Sequence, residues 1–426
     1  MNKEAFLVFT LGCKLNQLES EAVIDAFLQA GFKSFNEEPD FQPAFVVVNT
    51  CTVTGKADQK ARGVIRKALR DFPDSKVIVT GCYAQLNKDE LFNLNPDRIL
   101  VISKDNILDY INNLNEKNPA SRGGGEVRGQ FEFNPSRFSA HTRSFLKIQD
   151  GCDNKCTYCK IRLARGASVS LEAKQVLERL RILENEHAEA VLTGVNISQY
   201  KDDIGTVSEL LDYLLAGTSK IALRLSSLAP DCIDEKLAKV LSNKRIRPHF
   251  HLSIQSGSEK VLENMGRNYN AQTIEKAAAL LRAAKDNPFL ACDIIAGFPG
   301  ETEAEFEKNY SLCKKLKFAW IHVFPYSKRP GTPAFSFTDT VHSGEITKRV
   351  QLLTDLAKSG RAEYIQSYLG REVDVIIEGK RGITENYLKV LVHGKERLKA
   401  GTVLRCRLEA AGEPDKCDVA AFCLAP

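Results

Sequence analysis

The sequence lacks the features of a secreted or membrane protein. It opens with Met-Asn-Lys-Glu-Ala rather than with a basic stretch followed by an apolar one, and no apolar run is long enough to span a bilayer. We therefore expect a cytoplasmic protein with no membrane partner, in a compartment that keeps thiols reduced. Its 12 cysteines are then not expected to form disulfides, and their number predicts another use.

A large excess of charge of one sign is also missing. The formal net charge is +5 at pH 7, from 59 Lys and Arg against 54 Asp and Glu. This balance is compatible with a polyanionic partner, but it is common and decides little by itself. At 426 residues the chain is too long for one ordinary domain, and we expect two or three.

Three cysteines fall in one short loop, Gly-Cys-Asp-Asn-Lys-Cys-Thr-Tyr-Cys, as Cys152, Cys156 and Cys159. A structural zinc site takes four closed ligands, and no fourth Cys or His lies near this loop in the sequence, which disfavours zinc. A cubane iron–sulfur cluster has four irons, so three thiolates leave one iron with an open coordination position. An open iron favours catalysis over electron storage.

The spacing C-x-x-x-C-x-x-C, with the aromatic Tyr158 before the last cysteine, resembles the signature of the radical S-adenosylmethionine (radical SAM) enzymes. The resemblance implies that Cys152, Cys156 and Cys159 hold a [4Fe–4S] cluster whose open iron is chelated by S-adenosylmethionine (AdoMet). In that family one electron from the cluster cleaves AdoMet to a 5′-deoxyadenosyl radical, which abstracts hydrogen from an unactivated C–H bond. The three cysteines are then the catalytic centre, acting through the cluster.

Residues 1–115 alternate predicted strands and helices, a pattern that favours an open, mostly parallel α/β sheet. The predicted strands are Phe6–Thr10, Phe45–Asn49 and Lys76–Thr80, and the predicted helices are Gln17–Ala30, Lys56–Asp71 and Lys88–Leu94. Cys13, Cys51 and Cys82 each come shortly after one of these strands. Because the carboxyl ends of parallel strands share one edge, we expect the three thiols to converge there.

Three thiols that each follow the end of a predicted strand favour a second iron–sulfur site with three ligands. Three unrelated half-buried cysteines remain the alternative. With this N-terminal region the chain resembles the radical SAM methylthiotransferases over nearly its whole length. That resemblance implies two [4Fe–4S] clusters and the use of two AdoMet molecules. One AdoMet would methylate sulfur at the auxiliary cluster on Cys13, Cys51 and Cys82, and the other would yield the radical.

The connection from 116 to 142 is predicted to be a linker, since it is rich in glycine and poor in apolar residues. Its basic residues and the one that follows it are candidate phosphate contacts or simply solvated side chains. They are Arg122, Arg128, Arg137, His141 and Arg143.

Residues 143–365 show six strand-then-helix repeats, fewer than the eight that close a barrel. The predicted strands are Ser144–Gln149, Ala190–Gly194, Ile221–Ser226, His249–Gln255, Phe289–Gly297 and Phe318–Pro325. The predicted helices are Glu172–Glu186, Val207–Leu215, Ile233–Leu241, Thr273–Lys285 and Glu303–Lys315. A partial (β/α)6 barrel is the fold that the radical SAM resemblance implies.

The resemblance also assigns AdoMet contacts to the strand ends, together with Tyr158. Gly194 matches the contact to the methionyl amino group, Ser253 and Gln255 match contacts to ribose and carboxylate, and Gly297 matches a close approach of adenine. For each of these residues a turn or packing role remains open. Arg224, Arg267 and the segment 324–333 are expected near the substrate opening.

Residues 366–426 alternate apolar and polar side chains in Glu372–Glu378, Tyr387–His393 and Thr402–Glu409, which predicts a small antiparallel β-barrel. The region is similar to the TRAM domain, an RNA-binding module. Its candidate phosphate contacts are Lys389, Lys395, Lys399, Arg397, Arg405 and Arg407. From Arg361 onward there are 11 Lys and Arg against 10 Asp and Glu, so an ordinary solvated surface remains open. The other cysteines, Cys232, Cys292, Cys313, Cys406, Cys417 and Cys423, are predicted to be packed thiols.

The resemblance implies addition of a methylthio group to carbon 2 of N6-threonylcarbamoyladenosine at position 37 of tRNA. Gly-Cys-Lys-Leu-Asn-Gln-Leu-Glu-Ser and Asn-Thr-Cys-Thr-Val-Thr look most like that branch. The isopentenyladenosine branch usually carries Gly-Cys-Gln-Met-Asn, and the branch acting on a ribosomal-protein aspartate carries Gly-Cys-Pro-Lys-Asn. Those two substrates remain alternatives. So do an RNA-binding protein with structural clusters and a radical SAM enzyme of another reaction type that uses the second cluster only for electron transfer. The implied partners are AdoMet, the tRNA anticodon stem-loop and an electron donor such as a flavodoxin or ferredoxin.

Overall fold

The computed structural model describes residues 5–35, 42–115, 130–135, 143–393, 399–412 and 417–424, and these form three successive units. Within these ranges no helix has both the length and the apolar character needed to cross a membrane. Most of the predicted linker lies outside the described residues, and so do four of its candidate phosphate contacts: Arg122, Arg128, Arg137 and His141.

The first unit is a five-stranded parallel sheet with helices on both faces, in the order β2-β1-β3-β4-β5, which confirms the predicted N-terminal fold. Its strands are β1 (Ala5–Thr10), β2 (Lys33–Ser34), β3 (Pro43–Thr50), β4 (Lys76–Gly81) and β5 (Ile99–Val101). Its helices are α1 (Lys14–Gln29), α2 (Gly55–Asp71), α3 (Cys82–Leu86), α4 (Lys88–Phe92) and α5 (Ile107–Asn112).

The continuous apolar runs of these strands follow from burial of both faces of the sheet. Successive side chains point to opposite faces, so Val46 and Val48 pack with Ile65 of α2, while Val47 packs with Phe27 of α1. The entry to α2 is fixed by a cap, since Thr54 Oγ1 accepts a hydrogen bond from the backbone N–H of Ala57 (3.1 Å).

The second unit has six parallel strands that form two three-stranded sheets, β6-β9-β12 and β13-β14-β15, in a partial barrel. The strands of the two sheets are β6 (Ser144–Lys147), β9 (Glu189–Thr193), β12 (Ala222–Leu225), β13 (His249–Gln255), β14 (Phe289–Ala296) and β15 (Trp320–Pro325). Two short antiparallel pairs lie in the loops: β7 (Gln149–Asp150) with β8 (Val169–Ser170), and β10 (Lys201–Asp202) with β11 (Gly205–Thr206). The predicted six-strand partial barrel is confirmed.

The helices of this unit cover the outside of the strands. They are α6 (Ile161–Arg165), α7 (Ala173–Glu186), α8 (Val207–Gly217), α9 (Glu235–Leu241), α10 (Glu259–Asn264), α11 (Ala271–Ala284), α12 (Glu303–Leu316) and α13 (Ser343–Tyr368). Helix α13, which has 26 residues, was not predicted. Its fully buried apolar residues are few, Leu353 and Ala357 among them, so it gives a weak periodic signal.

The third unit is a closed five-stranded barrel in the order β16-β17-β18-β20-β19. Its strands are β16 (Glu372–Glu378), β17 (Arg381–Thr384), β18 (Lys389–His393), β19 (Val403–Ala410) and β20 (Val419–Cys423). The predicted small barrel is confirmed, and its antiparallel pairing has one exception, because β18 and β20 pair in parallel. After β18 the chain forms β19, which pairs with β16. It then forms β20, which lies between β19 and β18.

A buried cluster of charged and aromatic side chains joins the second and third units. Glu189, at the start of β9, accepts hydrogen bonds from Arg224 (2.7 and 3.0 Å) and from Arg247 (2.9 Å). The guanidinium of Arg224 lies 5.0 Å from the ring centroid of Tyr387 in the third unit. Arg224 is therefore fully buried at the amino ends of the strands, and its predicted place at the substrate opening is wrong.

Replacing Glu189 by Gln is expected to lower the free energy of unfolding by about 3–5 kcal/mol, because Arg224 is left buried without its counter-ion. Burial alone would raise the pKa of Glu189, but Arg224 outweighs it and lowers the pKa from 4.5 to about 2. The stabilisation is therefore complete above pH 4.5 and is lost as the pH falls toward 2.

Urea unfolding followed by the fluorescence of Trp320, at pH 7 and at pH 4, measures this effect. The control is Glu235→Gln, which removes an exposed partner of Lys276 and is expected to leave the transition in place. Equal midpoints for wild type and Glu189→Gln at pH 7 would contradict the prediction.

Candidate functional site

The three N-terminal cysteines lie at the carboxyl edge of the first sheet. Cys13 directly precedes α1, Cys51 directly follows β3, and Cys82 is the first residue after β4. Because β1, β3 and β4 are neighbouring parallel strands, their ends lie side by side. All three cysteines line one cavity of about 420 Å³, which we call the edge cavity.

Polar contacts and a close backbone approach hold these strand ends together. Asn16 Nδ2 donates to Asn49 Oδ1 and to the carbonyl of Thr50 (both 3.1 Å), and Asn49 Nδ2 donates back to the carbonyl of Asn16 (2.9 Å). Gly12 has φ +119°, and a Cβ there would lie 2.7 Å from Cys51 Cβ. Only glycine permits that approach. The sequence analysis did not identify this asparagine pair, although both residues stand at predicted strand or helix ends.

The loop that carries the central cysteines is shaped by a second close approach. Gly151 has φ +69°, and a Cβ there would lie 1.8 Å from the carbonyl oxygen of Ala167. The N–H of Cys152 donates to the carbonyl of Gly166 (3.1 Å), so the loop returns on itself. Cys152, Cys156 and Cys159 line a cavity of about 290 Å³, which we call the loop cavity.

Nitrogen donors point at sulfur atoms in both cysteine sets. Arg267 Nη1 donates to Cys156 Sγ (3.2 Å), and the backbone N–H of Ile161 donates to Cys159 Sγ (3.4 Å). In the N-terminal set, Arg165 Nε donates to Cys82 Sγ (3.1 Å). Guanidinium donors favour a negative charge on sulfur, as in a metal-bound thiolate.

The chemistry of the two sets fits iron–sulfur clusters. Burial raises the pKa of Cys51 to about 12 and that of Cys159 to about 12, so these thiols need a neighbouring cation to ionise. Bound iron supplies that positive charge. Among the described residues no group of His, Cys, Asp and Glu side chains is placed to hold a single metal ion. A cubane takes each thiolate on a different iron, so the donor set suits a cluster.

The edge cavity and the loop cavity share a wall, so the two cysteine sets face one continuous region at the carboxyl ends of the barrel strands. The residues common to both linings are Val53, Ile161, Val195, Ser227, Ser253 and Asp293. They come from the first unit and from five different segments of the second unit. Chemistry at one cysteine set is therefore within reach of a molecule bound at the other.

Three of the residues expected to contact AdoMet line the loop cavity, namely Tyr158, Ser253 and Gln255. Gln255 has φ +66°, an uncommon conformation for a residue other than glycine. Asn196 and Arg267 line the same cavity. The sequence analysis did not identify Asn196, which follows the end of β9.

The two glycines expected to contact AdoMet lie elsewhere. Gly194 lines the edge cavity, and a Cβ there would lie 2.7 Å from the carbonyl oxygen of Gln149. Gly297 lines neither cavity: with φ +78° its backbone packs on α13, where a Cβ would lie 2.4 Å from Ile346. The residues of β14 that line the loop cavity are Asp293 and Ile295.

A buried ionic network joins the two cysteine sets. Arg165 of α6 forms a bidentate salt bridge with Glu19 of α1 (2.7 and 3.0 Å) and also donates to Asp150 (3.2 Å). Lys147 adds a second cation 2.5 Å from Asp150. Burial would raise the pKa of Asp150, but Arg165 and Lys147 outweigh it and hold that pKa below its ordinary value. With Arg165 donating to Cys82 Sγ, the network fixes the first unit against the central loop.

The segment 324–333 makes a second connection, and Phe324 and Tyr326 of this segment line the loop cavity as predicted for a substrate opening. Arg329 donates to the carbonyl of Thr52 (2.8 Å) and to Asp58 Oδ2 (2.7 Å), next to the Cys51 loop. The N–H of Gly55 donates to Ser327 Oγ (3.0 Å).

The wall between the cavities carries a hydrogen-bonded row of polar side chains. His251 Nε2 lies 3.0 Å from Asp293 Oδ1, and Ser227 Oγ lies 2.8 Å from His251 Nδ1. Asp293 Oδ1 accepts a hydrogen bond from His251 Nε2–H, which leaves Nδ1 to accept one from the Ser227 hydroxyl. No motif in the sequence indicated this row.

The candidate phosphate contacts are only partly available to RNA. Arg143 lies 3.5 Å from Glu378 and against the Tyr387 ring, so it belongs to the junction between units. Arg405 and Arg407 pair with acidic residues on β16 at 3.3 Å. Lys389 and Lys399 are exposed, while Lys395 and Arg397 lie outside the described residues. The six other cysteines are buried or half-buried: Cys232, Cys292, Cys313, Cys406, Cys417 and Cys423.

Solved structures share this fold at low sequence identity. The radical AdoMet methyltransferase TsrM from Kitasatospora setae, solved with cobalamin and a [4Fe–4S] cluster, aligns with a TM-score of 0.55 and 14% identity, over 78% of this chain and 74% of that one. The cobalamin-dependent radical enzyme OxsB aligns with a TM-score of 0.51 and 13% identity, over 84% of this chain and 56% of that one.

Two family models match, the radical SAM superfamily over residues 146–313 and the uncharacterized protein family UPF0004 over residues 5–103. Threonylcarbamoyladenosine tRNA methylthiotransferase MtaB of Treponema pallidum is 36% identical, over 95% of this chain and 98% of the relative. MtaB of Thermotoga maritima is 36% identical, over 89% of this chain and 88% of the relative. A tRNA-2-methylthio-N(6)-dimethylallyladenosine synthase of Protochlamydia amoebophila is 30% identical, over 95% and 93%. This chain therefore belongs to the radical SAM methylthiotransferases.

Proposed function

We propose that this protein transfers a methylthio group to carbon 2 of N6-threonylcarbamoyladenosine at position 37 of tRNA. The observation that carries the proposal is the pair of three-cysteine sets that line two adjoining cavities. Two relatives named for this substrate are 36% identical to the chain, whereas the relative named for dimethylallyladenosine is 30% identical. The higher identity favours the threonylcarbamoyl substrate.

The protein uses two [4Fe–4S] clusters and AdoMet. Cys152, Cys156 and Cys159 are the proposed ligands of the radical SAM cluster, and the auxiliary cluster takes the N-terminal set, Cys13, Cys51 and Cys82. When bound, the clusters and AdoMet supply the radical that cleaves the C–H bond and the site at which sulfur is held. Acid–base side chains cannot provide this chemistry at an aromatic carbon.

The loop cavity is the proposed AdoMet site. Tyr158 forms part of its wall, Ser253 and Gln255 offer polar groups from the end of β13, and Asn196 adds an amide. Arg267 bonds Cys156 Sγ and the carbonyl of Ser253 (3.0 Å), so it fixes the wall between the cysteine loop and β13. Gly194 and Gly297 are then backbone positions that allow close packing, and they need no ligand contact.

Arg165 is the proposed positioning residue for the auxiliary cluster. Its Nε–H bonds Cys82, while its other nitrogens are fixed by Glu19 and Asp150. The guanidinium therefore cannot turn away from the sulfur without breaking its two hydrogen bonds to the buried carboxylate of Glu19.

The substrate base must leave the anticodon-loop stack to reach the shared region of the two cavities. The exposed Lys389 and Lys399 of the small barrel are proposed contacts to the phosphates of the anticodon stem-loop. A cytoplasmic location and an electron donor such as a flavodoxin or ferredoxin complete the proposal.

Nucleoside mass spectrometry of total tRNA tests the activity in cells. A strain lacking the gene is expected to lose the methylthio form of threonylcarbamoyladenosine, and wild type is expected to restore it. Cys51→Ala is expected not to restore it, because the auxiliary set then has two thiolates. Cys417→Ala, which removes a cysteine away from both cavities, serves as the matched control and is expected to restore the product. Unchanged nucleosides in the deletion strain would refute the substrate assignment.

Replacing Arg165 by Met is expected to lower methylthiolation in vitro about 100-fold, because a misplaced sulfur site costs on that order. Cleavage of AdoMet to 5′-deoxyadenosine is expected to stay within about threefold of wild type, since the loop cavity keeps its cysteines. Both products are measured by liquid chromatography and mass spectrometry, with iron content as the check on cluster loading.

Arg181→Met, which removes an exposed guanidinium bonded to the Gly217 carbonyl, is the control and is expected to behave like wild type. Equal losses of methylthiolation and AdoMet cleavage in Arg165→Met would show that Arg165 does not act selectively on the auxiliary site.

A further inference from the structure

The edge cavity extends past the N-terminal cysteines into the interior of the barrel. Thr193, Ser226 and His251 line its far side, opposite the cysteines. One end of the cavity thus offers sulfur ligands, and the other offers the hydroxyls of Thr193 and Ser226. A cluster at the cysteines leaves this polar end unexplained.

The cations of this cavity differ in how they are neutralised. Arg165 is paired with Glu19 and Asp150. Among the described residues no carboxylate lies within ion-pair distance of the Lys14 ammonium, which lies 5.6 Å from the centroid of the Tyr387 ring. The nearby carboxylate of Glu189 is taken up by two arginines at hydrogen-bond distance. Lys14 lines the edge cavity, and its ammonium lies against the Tyr387 ring, where the guanidiniums of Arg143 and Arg224 also lie.

The local fold explains how this cation reaches the barrel interior. Lys14 directly follows Cys13 and is the first residue of α1. The helix packs against the barrel strands through Leu18, which forms a small core with Phe145 of β6 and Val191 of β9. The same helix start therefore presents a proposed cluster ligand and a cation to one cavity.

The proposed substrate carries the complementary charge. Threonylcarbamoyladenosine ends in a carboxylate on its N6 substituent, and that substituent flanks the same ring edge as carbon 2. A base that points carbon 2 at the cysteines therefore brings its carboxylate into the same cavity. A carboxylate taken from water into a protein needs a cation or several hydrogen-bond donors there.

We propose that Lys14 binds the substrate carboxylate and is the residue by which the enzyme selects threonylcarbamoyladenosine over bases with uncharged N6 substituents. Thr193 and Ser226 provide hydroxyls for the carbamoyl and hydroxyl groups of the same substituent. This inference rests on the proposed function, and it adds the residue that determines substrate choice.

The test compares two synthetic anticodon stem-loops with the reconstituted full-length protein. One carries threonylcarbamoyladenosine, and the other carries its neutral carboxamide analogue. Wild type is expected to prefer the acid in kcat/KM by about 10- to 100-fold, the range of a hydrogen bond to a charged group. Lys14→Met is expected to lose this preference, so that its kcat/KM values on the two stem-loops become equal. Lys14→Arg is expected to keep it.

Lys67→Met removes an exposed lysine of α2 outside both cavities and is the matched control, with the preference of wild type. Because the ratio compares two substrates on one preparation, incomplete cluster loading does not alter it. A preference that persists in Lys14→Met would overturn the inference and leave the proposed function standing. A wild-type enzyme that ignores the threonylcarbamoyl stem-loop but modifies an isopentenyladenosine stem-loop would overturn both.

Discussion

One buried guanidinium holds the two halves of the reaction centre together. Arg165 stands at the end of the helix that follows the central cysteines, and it bonds Glu19 in the first unit, Asp150 in the second and the sulfur of Cys82. All three charged groups are almost fully buried. Moving one unit relative to the other would leave buried charges unpaired, at a cost of about 3–5 kcal/mol. The two cavities are therefore held in a fixed relation before any ligand binds.

Other contacts between the units also hold them in a fixed relation. Arg329 ties the end of the barrel to the Cys51 loop, and the cluster of Glu189, Arg224 and Tyr387 closes the opposite end of the barrel against the third unit. The open side of a six-strand barrel is thus filled by the N-terminal unit, and its floor is closed by the C-terminal one. What remains accessible is the region where the two cysteine sets meet.

Much of this architecture could be predicted from the sequence because local patterns specify it. The nine strands predicted in the first two units are short and mainly apolar, and the structure places each within a few residues of its prediction, whereas the short β2 and β5 were not predicted. Helix α13 was missed because its apolar residues are sparse, and the parallel pairing of β18 with β20 has no local signal.

The site residues likewise include some that have a local sequence signal and others that have none. Cysteine spacing within a loop, or after a strand, is visible in the sequence, and it identified the six thiols that line the cavities. Arg165 and Glu19 are 146 residues apart, and His251 meets Asp293 only through the barrel, so neither contact could be inferred from spacing. For Gly297 the sequence left ligand contact and packing open, because a glycine after a strand also suits packing against a helix, as it does here on α13.

Electron paramagnetic resonance of the reconstituted protein tests directly whether the two cysteine sets hold clusters close enough to act on one substrate. With both clusters reduced, the wild-type spectrum is expected to show magnetic coupling that is absent from Cys51→Ala and from Cys156→Ala. A wild-type spectrum equal to the sum of the spectra of the two variants would contradict it, because the clusters would then be magnetically independent.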